Sequence, residues 1–290
     1  MIDGILDSIV EWFKQVLIDC IMSNLNGMFD QINTEIGEVA ANVGTTPAAW
    51  NAGIFSMIRT LSDNVVVPIA GMILTFVLCY ELITMIIDRN NLHDFETFIF
   101  YKWIVKAFVA VMLVTHTFDI TMAIFDVAQH IVQQSAGIIS GSTSLDFAAT
   151  ISGVASQLEA MEVGELLGLV VETMMLRVTA PIISLCVMLV LVGRMIEIYI
   201  YCSVGAIPLA TMTNHEWGQM GHNYLRGLAA LGLQGFFIMI CVAIYSVLIG
   251  QIGSAASLHL AIWQCLGYTV LLCFSLFKTS SVSKSILNAH

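Results

Sequence analysis

Residues 227–277 read GLAALGLQGFFIMICVAIYSVLIGQIGSAASLHLAIWQCLGYTVLLCFSLF and contain no Asp, Glu, Lys or Arg. This stretch of 51 residues is more than twice the about 20 residues that one membrane-spanning helix requires. Glycines and polar residues interrupt it at 250–254. The stretch therefore predicts two consecutive membrane spans, at about 228–250 and 260–277.

The composition extends this prediction to the whole chain. Of its 290 residues, 58% are hydrophobic and 11% are charged, and the mean hydropathy is +0.88. Soluble domains carry about 25% charged residues, so a water-soluble fold is excluded. Further apolar runs predict spans at about 65–87, 103–125 and 166–192. We expect an all-α, polytopic membrane helical bundle with about five spans.

The N-terminal region has a different pattern. Residues 2–21 place apolar side chains at helical spacing, with Asp3, Asp7, Glu11 and Lys14 mostly on the opposite side. This predicts an amphipathic helix whose acidic face favours packing against protein over binding to anionic lipid. We expect residues 1–64 to form an extracytoplasmic N-terminal region and residues 65–290 to form the transmembrane domain.

The distribution of basic residues predicts the orientation. With five spans and an outside N-terminus, the inside segments hold six basic residues: Arg89, Lys102, Arg194, Arg226, Lys278 and Lys284. The outside segments, which include a 126–165 loop, hold only Lys14 and Arg59. This asymmetry follows the positive-inside rule. Counting 195–213 as a sixth span would place the C-terminal Lys278 and Lys284 on the outside.

We therefore predict that residues 193–227 form a re-entrant or interfacial hairpin on the inner side, bent at Gly205 and Pro208. Irregular backbone at membrane depth requires surrounding protein or a water-filled cavity. The hairpin is thus a candidate pore or subunit-contact element.

Charged residues inside the predicted spans are the sharpest local signal, because each costs about 2.5–3.5 kcal/mol at the centre of a bilayer. Glu81 and Lys106 lie near the inner ends of adjacent spans and can form a pair. Towards the outer side lie Asp119, Arg177 and Glu172, and His116 shares a helical face with Asp119. These groups indicate either a polar or proton pathway or ion pairs that fix helix register. The neutralising arrangement favours the second interpretation.

No sequence pattern indicates catalysis. The chain contains no HExxH, GxSxG, Walker or Rossmann motif. His215 and His222 share a segment with Glu216, but two histidines at this spacing without a third ligand are weak evidence for a metal site. The net charge of −11 argues against nucleic-acid binding by simple electrostatics. We expect a protein that is not an enzyme.

Several segments nevertheless resemble a known family. They are Gly193-Arg194-Met195-Ile196-Glu197-Ile198-Tyr199-Ile200-Tyr201, Ile207-Pro208-Leu209-Ala210-Thr211-Met212 and Glu216-Trp217-Gly218-Gln219. Supporting stretches lie at 91–95, 114–119, 267–274 and 277–286. Together, in this order, they resemble the TrbL-type polytopic membrane subunit of conjugative type IV secretion systems. The similarity is to the version found on integrative and conjugative elements of Gram-positive bacteria.

The resemblance implies a multi-pass protein of the bacterial cytoplasmic membrane, with the N-terminus outside and the C-terminus inside. It implies a non-enzymatic role in a channel that passes single-stranded DNA with its relaxase, driven by cytoplasmic ATPases. The implied assembly contains other conjugation-machine subunits, membrane lipids and a homo-oligomeric ring, with five copies as the expected number. No cofactor other than bound phospholipid is expected.

Two functional alternatives stay open from the residues alone. A stand-alone ion or solute channel, or a secondary transporter, would use the Glu81–Lys106 and His116–Asp119 groups. A holin-like or toxin-like protein is the other alternative. The conjugation hypothesis instead gives the inner hairpin the leading role, with Arg194 and Glu197 forming a supporting i,i+3 pair.

Overall fold

The computed structural model describes residues 2–87, 97–142, 147–251 and 257–289, which form helices joined by short turns and include no strand. The first half contains α1 (Ile2–Val43), α2 (Pro47–Trp50), α3 (Ala52–Leu61), a π-helical turn (Ser62–Val66), α4 (Val67–Ile87), α5 (Thr97–Thr115) and α6 (Thr117–Ser142). The second half contains α7 (Phe147–Ala160), α8 (Val163–Val204), α9 (Ala206–Thr211), α10 (Gly218–Gly250) and α11 (Leu258–Ile286).

Four helical stretches are long and apolar enough to cross a membrane: Ala52–Ile87, Val163–Val204, Gly218–Gly250 and Leu258–Ile286. A fifth span is present if Phe100–Thr115 and Thr117–Ser135, which are bent by 70° at His116, count as one. These numbers refer to the described residues. They confirm the predicted all-α polytopic bundle with about five spans.

The boundaries of individual elements differ from those predicted. The helix predicted at 2–21 continues without interruption to Val43, and the 166–192 span belongs to a 42-residue helix. At 1.5 Å per residue, α8 is about 63 Å long, roughly twice the thickness of a bilayer's hydrocarbon core. The 126–165 connection, predicted to have two helix-prone halves, contains the rest of α6 and all of α7.

Some predictions fall outside the described residues. They include Arg89 and the 91–95 stretch, which belong to the predicted 88–102 inner loop.

The first loop shows how local sequence sets helix boundaries. Thr46 caps α2 by accepting a hydrogen bond at its hydroxyl from the backbone N–H of Ala49 (3.2 Å), and Pro47 occupies the first helical position. The sequence predicts this start. It also predicts one helix through Arg59, but Asn51 ends α2 and caps α3 by accepting from the N–H of Ile54 (2.9 Å).

The chain divides into two compact units. Unit 1 contains Met1–Val43, Gln134–Leu191 and Ile238–Lys278, and unit 2 contains Gly44–Gln133, Val192–Phe237 and Thr279–His290. The helices α6, α8, α10 and α11 contribute residues to both units.

In unit 1, α1 packs beside two of the candidate spans, α8 and α11. Asn24 donates to the Thr173 hydroxyl of α8 (3.3 Å), and Gln31, about two turns further along α1, donates to Ser184 (2.9 Å). The Cys265 thiol of α11 lies 3.7 Å from the sulfur of Met28. The buried side of α1, which includes Ile21, supplies the packing free energy that joins the N-terminal segment to this unit.

Unit 2 contains two buried apolar clusters. Phe118, Phe125 and Met195 belong to the larger one, which involves α6, α8, α9 and α10. The smaller cluster joins α4, α5 and α9 through residues that include Ala70, Ala110, Ala206 and Ala210. Because alanine occupies little space, these three helices can approach closely, which places the short helix α9 beside two long helices.

Candidate functional site

A polar cluster in unit 2 surrounds the turn between α9 and α10. Glu81 of α4 accepts a hydrogen bond from the Lys106 ammonium of α5 at Oε1 and from the Asn214 amide (3.0 Å) at Oε2. The Glu81 side chain is 14% exposed, and that of Lys106 is 36% exposed. The predicted Glu81–Lys106 pair is therefore formed, and it extends to a third group that lies in the turn.

Asn214 connects this ion pair to the backbone of the turn. Its side-chain oxygen accepts from the N–H groups of Glu216 (2.8 Å) and Trp217 (3.1 Å). One asparagine side chain thus fixes both the turn and the carboxylate of Glu81. This arrangement supports the structural interpretation of these charges, because both oxygens of Glu81 are already occupied.

Aromatic rings hold the same turn against α4. Trp217 stacks on Tyr80 and Phe76, with ring centroids 5.2 and 5.7 Å apart. The Tyr80 hydroxyl also donates to the carboxylate of Glu216 (3.2 Å). Such stacked pairs stabilise a contact by about 0.5–1.5 kcal/mol beyond their buried area. Trp217, singled out from its sequence motif, is therefore a positioning residue of the turn.

The helix α8 ends at Val204, and Gly205, where the sequence predicts a bend, separates it from α9. A Cβ atom on this glycine would lie 2.3 Å from the Tyr224 hydroxyl and 2.9 Å from the Thr117 methyl group. Pro208 lies in the first turn of α9, where its missing N–H costs no helical hydrogen bond. Its carbonyl oxygen would be 2.7 Å from a Cβ on Gly221. Close packing thus requires glycine on both sides of α9.

The second predicted group contains His116 and Asp119, which contact different residues. His116 lies at the break between α5 and α6, and its Nδ1 is 3.2 Å from the Met112 carbonyl oxygen. Asp119 instead pairs with Arg59 of α3 (3.1 Å), and both side chains are about half exposed. The two neighbouring polar residues therefore have separate partners.

The structure places Glu172 and Arg177 in unit 1, whereas Asp119 lies in unit 2. Glu172 lies 2.8 Å from His259 of α11. Arg177 donates to the side-chain oxygen of Asn24 (3.1 Å). Each of these two residues thus connects α8 to a neighbouring helix of its own unit.

The expected Arg194–Glu197 pair is absent among the described residues. Glu197 instead pairs with Lys284 of α11 (2.5 Å), and the Arg194 Nε donates to the backbone carbonyl of Leu231 (3.4 Å). Arg194 is buried within the unit, with 7% exposure, because α8 continues through residue 204 and turns this side chain towards α10. Arg226 is exposed on α10.

Replacing Lys284 with alanine should lower the free energy of unfolding by about 0.5–1 kcal/mol, since the pair is one-third exposed and screened by solvent. Thermal unfolding of the purified protein in detergent measures this change. Lys278→Ala is the matched control, because Lys278 is an exposed lysine of the same helix. Equal effects of the two substitutions would contradict the assignment of Lys284 to Glu197.

Asn214 and Lys284 were not predicted from the sequence. Each contacts its partner across a large separation, 133 residues for Asn214 and Glu81 and 87 residues for Lys284 and Glu197. Asparagine is common in turns, so the sequence indicates a turn at Asn214 but does not identify Glu81 as its partner. Among the described residues, no three His, Cys, Asp or Glu side chains group closely enough to hold a metal ion.

Comparison with known families gives a match over much of the chain. The family described as TrbL/VirB6 plasmid conjugal transfer like protein matches residues 32–206, which is more than half of the chain. The matched range extends from the middle of α1 through α8 and includes Glu81, Lys106 and Gly205. No curated protein and no solved structure matches. The chain therefore belongs to the TrbL/VirB6 family of plasmid conjugal transfer proteins.

Proposed function

We propose that this protein is a structural, channel-forming subunit of a conjugative type IV secretion apparatus that transfers DNA with its relaxase from donor to recipient. The family match over residues 32–206 carries the proposal. The four or five candidate spans support it, because they identify a multi-pass membrane protein.

The proposed assembly is a homo-oligomeric ring, with five copies as the expected number, together with other machine subunits and membrane lipids. Cytoplasmic ATPases would supply the energy. The excess of basic residues in the predicted inner segments supports an N-terminus outside and a C-terminus inside the bacterial cytoplasmic membrane. The likeness noted above to subunits of Gram-positive integrative and conjugative elements suggests the type of mobile element.

The contacts in unit 2 favour this function over that of a stand-alone transporter. A proton or ion pathway needs an acidic group that can exchange its partner. Glu81 is bonded at both oxygens to Lys106 and Asn214, so it is held as part of the scaffold. The α9–α10 turn is then a rigid surface suited to contact with another subunit.

In-frame deletion of the gene in its native host is expected to abolish transfer of the mobile element to a recipient. The physical reason is that a multi-pass subunit cannot be bypassed if it forms part of the passage. The number of transconjugants per donor is the measurement, and complementation with the intact gene is the control. Undiminished transfer by the deletion strain would refute the proposed function.

A further inference from the structure

The exposed side of the second half of α1 is polar over several turns. Asn26, Asp30, Asn33, Thr34, Glu38 and Asn42 are all exposed, and we call these six residues the polar stripe. The other exposed positions between them are glycine or alanine. The opposite side of the same segment is buried and mostly apolar, and it includes Leu25, Phe29 and Ile32.

This segment lies beside candidate membrane spans. Hydrogen bonds from Asn24 to Thr173 and from Gln31 to Ser184 align α1 with the middle of α8. Further along, a small open pocket has a lining that contains Glu35 of α1, Ile183 of α8 and Thr269 of α11. The polar stripe is therefore level with the apolar parts of these helices, and this placement departs from the extracytoplasmic region predicted for residues 1–64.

At the same level, the exposed side of α8 is apolar. Met174, Val178, Ile182, Leu185, Met188 and Leu189 are each more than half exposed. An exposed apolar surface of this size on a candidate span is a surface for lipid. Unit 1 thus presents two unlike surfaces at one level, the lipid-compatible side of α8 and the polar stripe.

Lipid cannot satisfy the amide and carboxylate groups of the polar stripe, because hydrocarbon offers no hydrogen bonds and solvates charge poorly. Among the described residues, Asn26, Asp30, Asn33, Glu38 and Asn42 have no hydrogen-bond partner on another helix. We propose that the polar stripe of α1 lines a water-filled space beside the membrane spans. Its two carboxylates, Asp30 and Glu38, favour water and hydrated cations as the contents.

The inference deepens the proposed function and rests on it where it identifies the water-filled space with the transfer channel. An acidic lining is also compatible with weak contact to a passing polyanion. Strong binding of a nucleic-acid strand to a basic wall would slow its release.

Cysteine accessibility in membranes tests the inference with matched pairs. The aligned pairs are Asn26 and Val178, Asn33 and Leu185, and Glu38 and Leu189. Each residue is replaced singly with cysteine in the full chain. Membrane vesicles of both orientations are treated with trimethylammonium-ethyl methanethiosulfonate, and peptide mass spectrometry follows the modified fraction at each introduced cysteine.

The α1 cysteines should react at least about tenfold faster than their α8 partners, because the reactive thiolate is suppressed in an apolar environment. Only variants present at parental levels in the membrane are compared, and labelling after denaturation serves as the control for total thiol. Protection of all six positions would overturn the inference, because another protein or lipid would then cover the polar stripe.

Equal, rapid labelling of both helices would also overturn it, because α8 would then lie in water at this level. The outcome is distinguishable from failure of the proposed function. Preferential labelling of α1 together with unimpaired transfer by the deletion strain would retain the water-filled space and reject its role in conjugation.

Discussion

Replacing Gly205 with alanine is expected to destabilise the protein by about 1–3 kcal/mol, the range for forcing an extra group into a packed interior. The new Cβ would lie 2.3 Å from the Tyr224 hydroxyl and 2.9 Å from the Thr117 methyl group. Tyr224 is itself held by a hydrogen bond from its hydroxyl to the carbonyl of Tyr201 (3.0 Å). The clash therefore falls on a ring that cannot move without losing this bond.

Thermal unfolding in detergent and the amount of protein in the membrane are the measurements for Gly205→Ala. Gly193→Ala is the matched control in the same helix region, because a Cβ there meets no atom within 4 Å. That control should be neutral or slightly stabilising, since alanine is the better helix former. Adding Tyr224→Phe to Gly205→Ala should restore part of the loss, because it removes the nearest atom. Wild-type stability of Gly205→Ala would contradict the close packing at this position.

The second large effect is expected for Glu81→Ala. This change leaves the Lys106 ammonium and the Asn214 amide without their shared acceptor. Loss of one partner from a buried pair costs about 3–5 kcal/mol, but the Lys106 side chain is 36% exposed, so we expect about 1–3 kcal/mol. The turn between α9 and α10 should loosen at the same time, and transfer should fall with it.

A double substitution separates the unpaired charge from the loss of the turn. Glu81→Gln with Lys106→Met leaves no unpaired charge and retains an acceptor for Asn214. Its unfolding temperature should be closer to that of the wild type than the temperature of Glu81→Ala. If the double variant is as unstable as Glu81→Ala, the hydrogen bond to Asn214 does not account for the stability that the Glu81 carboxylate provides.

Hydropathy and charge were sufficient to predict the helical membrane fold, because burial in lipid constrains composition strongly over about 20 residues. The Glu81–Lys106 pair was also predictable. Both residues lie at similar depth in consecutive spans, and only 25 residues separate them. The partner of Glu197 was not predictable. Helical i,i+3 spacing favours Arg194 as the partner, whereas the fold brings Lys284 closer.

The break at His116 has a different origin. The sequence from Val114 to Phe118 contains no proline or glycine, so it gives no conventional sign of a helix end. The hydroxyl of Thr117 donates instead to the backbone carbonyls of Leu113 and Val114, each at 2.9 Å. Thr173 makes the same pair of bonds inside the unbroken helix α8, so these bonds do not by themselves end a helix. Burial of Thr117 beside Gly205 provides a tertiary contact that sequence spacing does not reveal.

The pairing of Glu81 with Lys106 has a consequence for the order of biosynthesis. The α4 and α5 helices emerge from the ribosome consecutively, and together they form a hairpin whose opposite charges can neutralise one another. Two charges that would each oppose entry into lipid can thus partition as a neutral couple. Asn214 is synthesised more than a hundred residues after Lys106. The nascent chain therefore completes its early membrane hairpin first, and the late-made turn is added to a site that already exists.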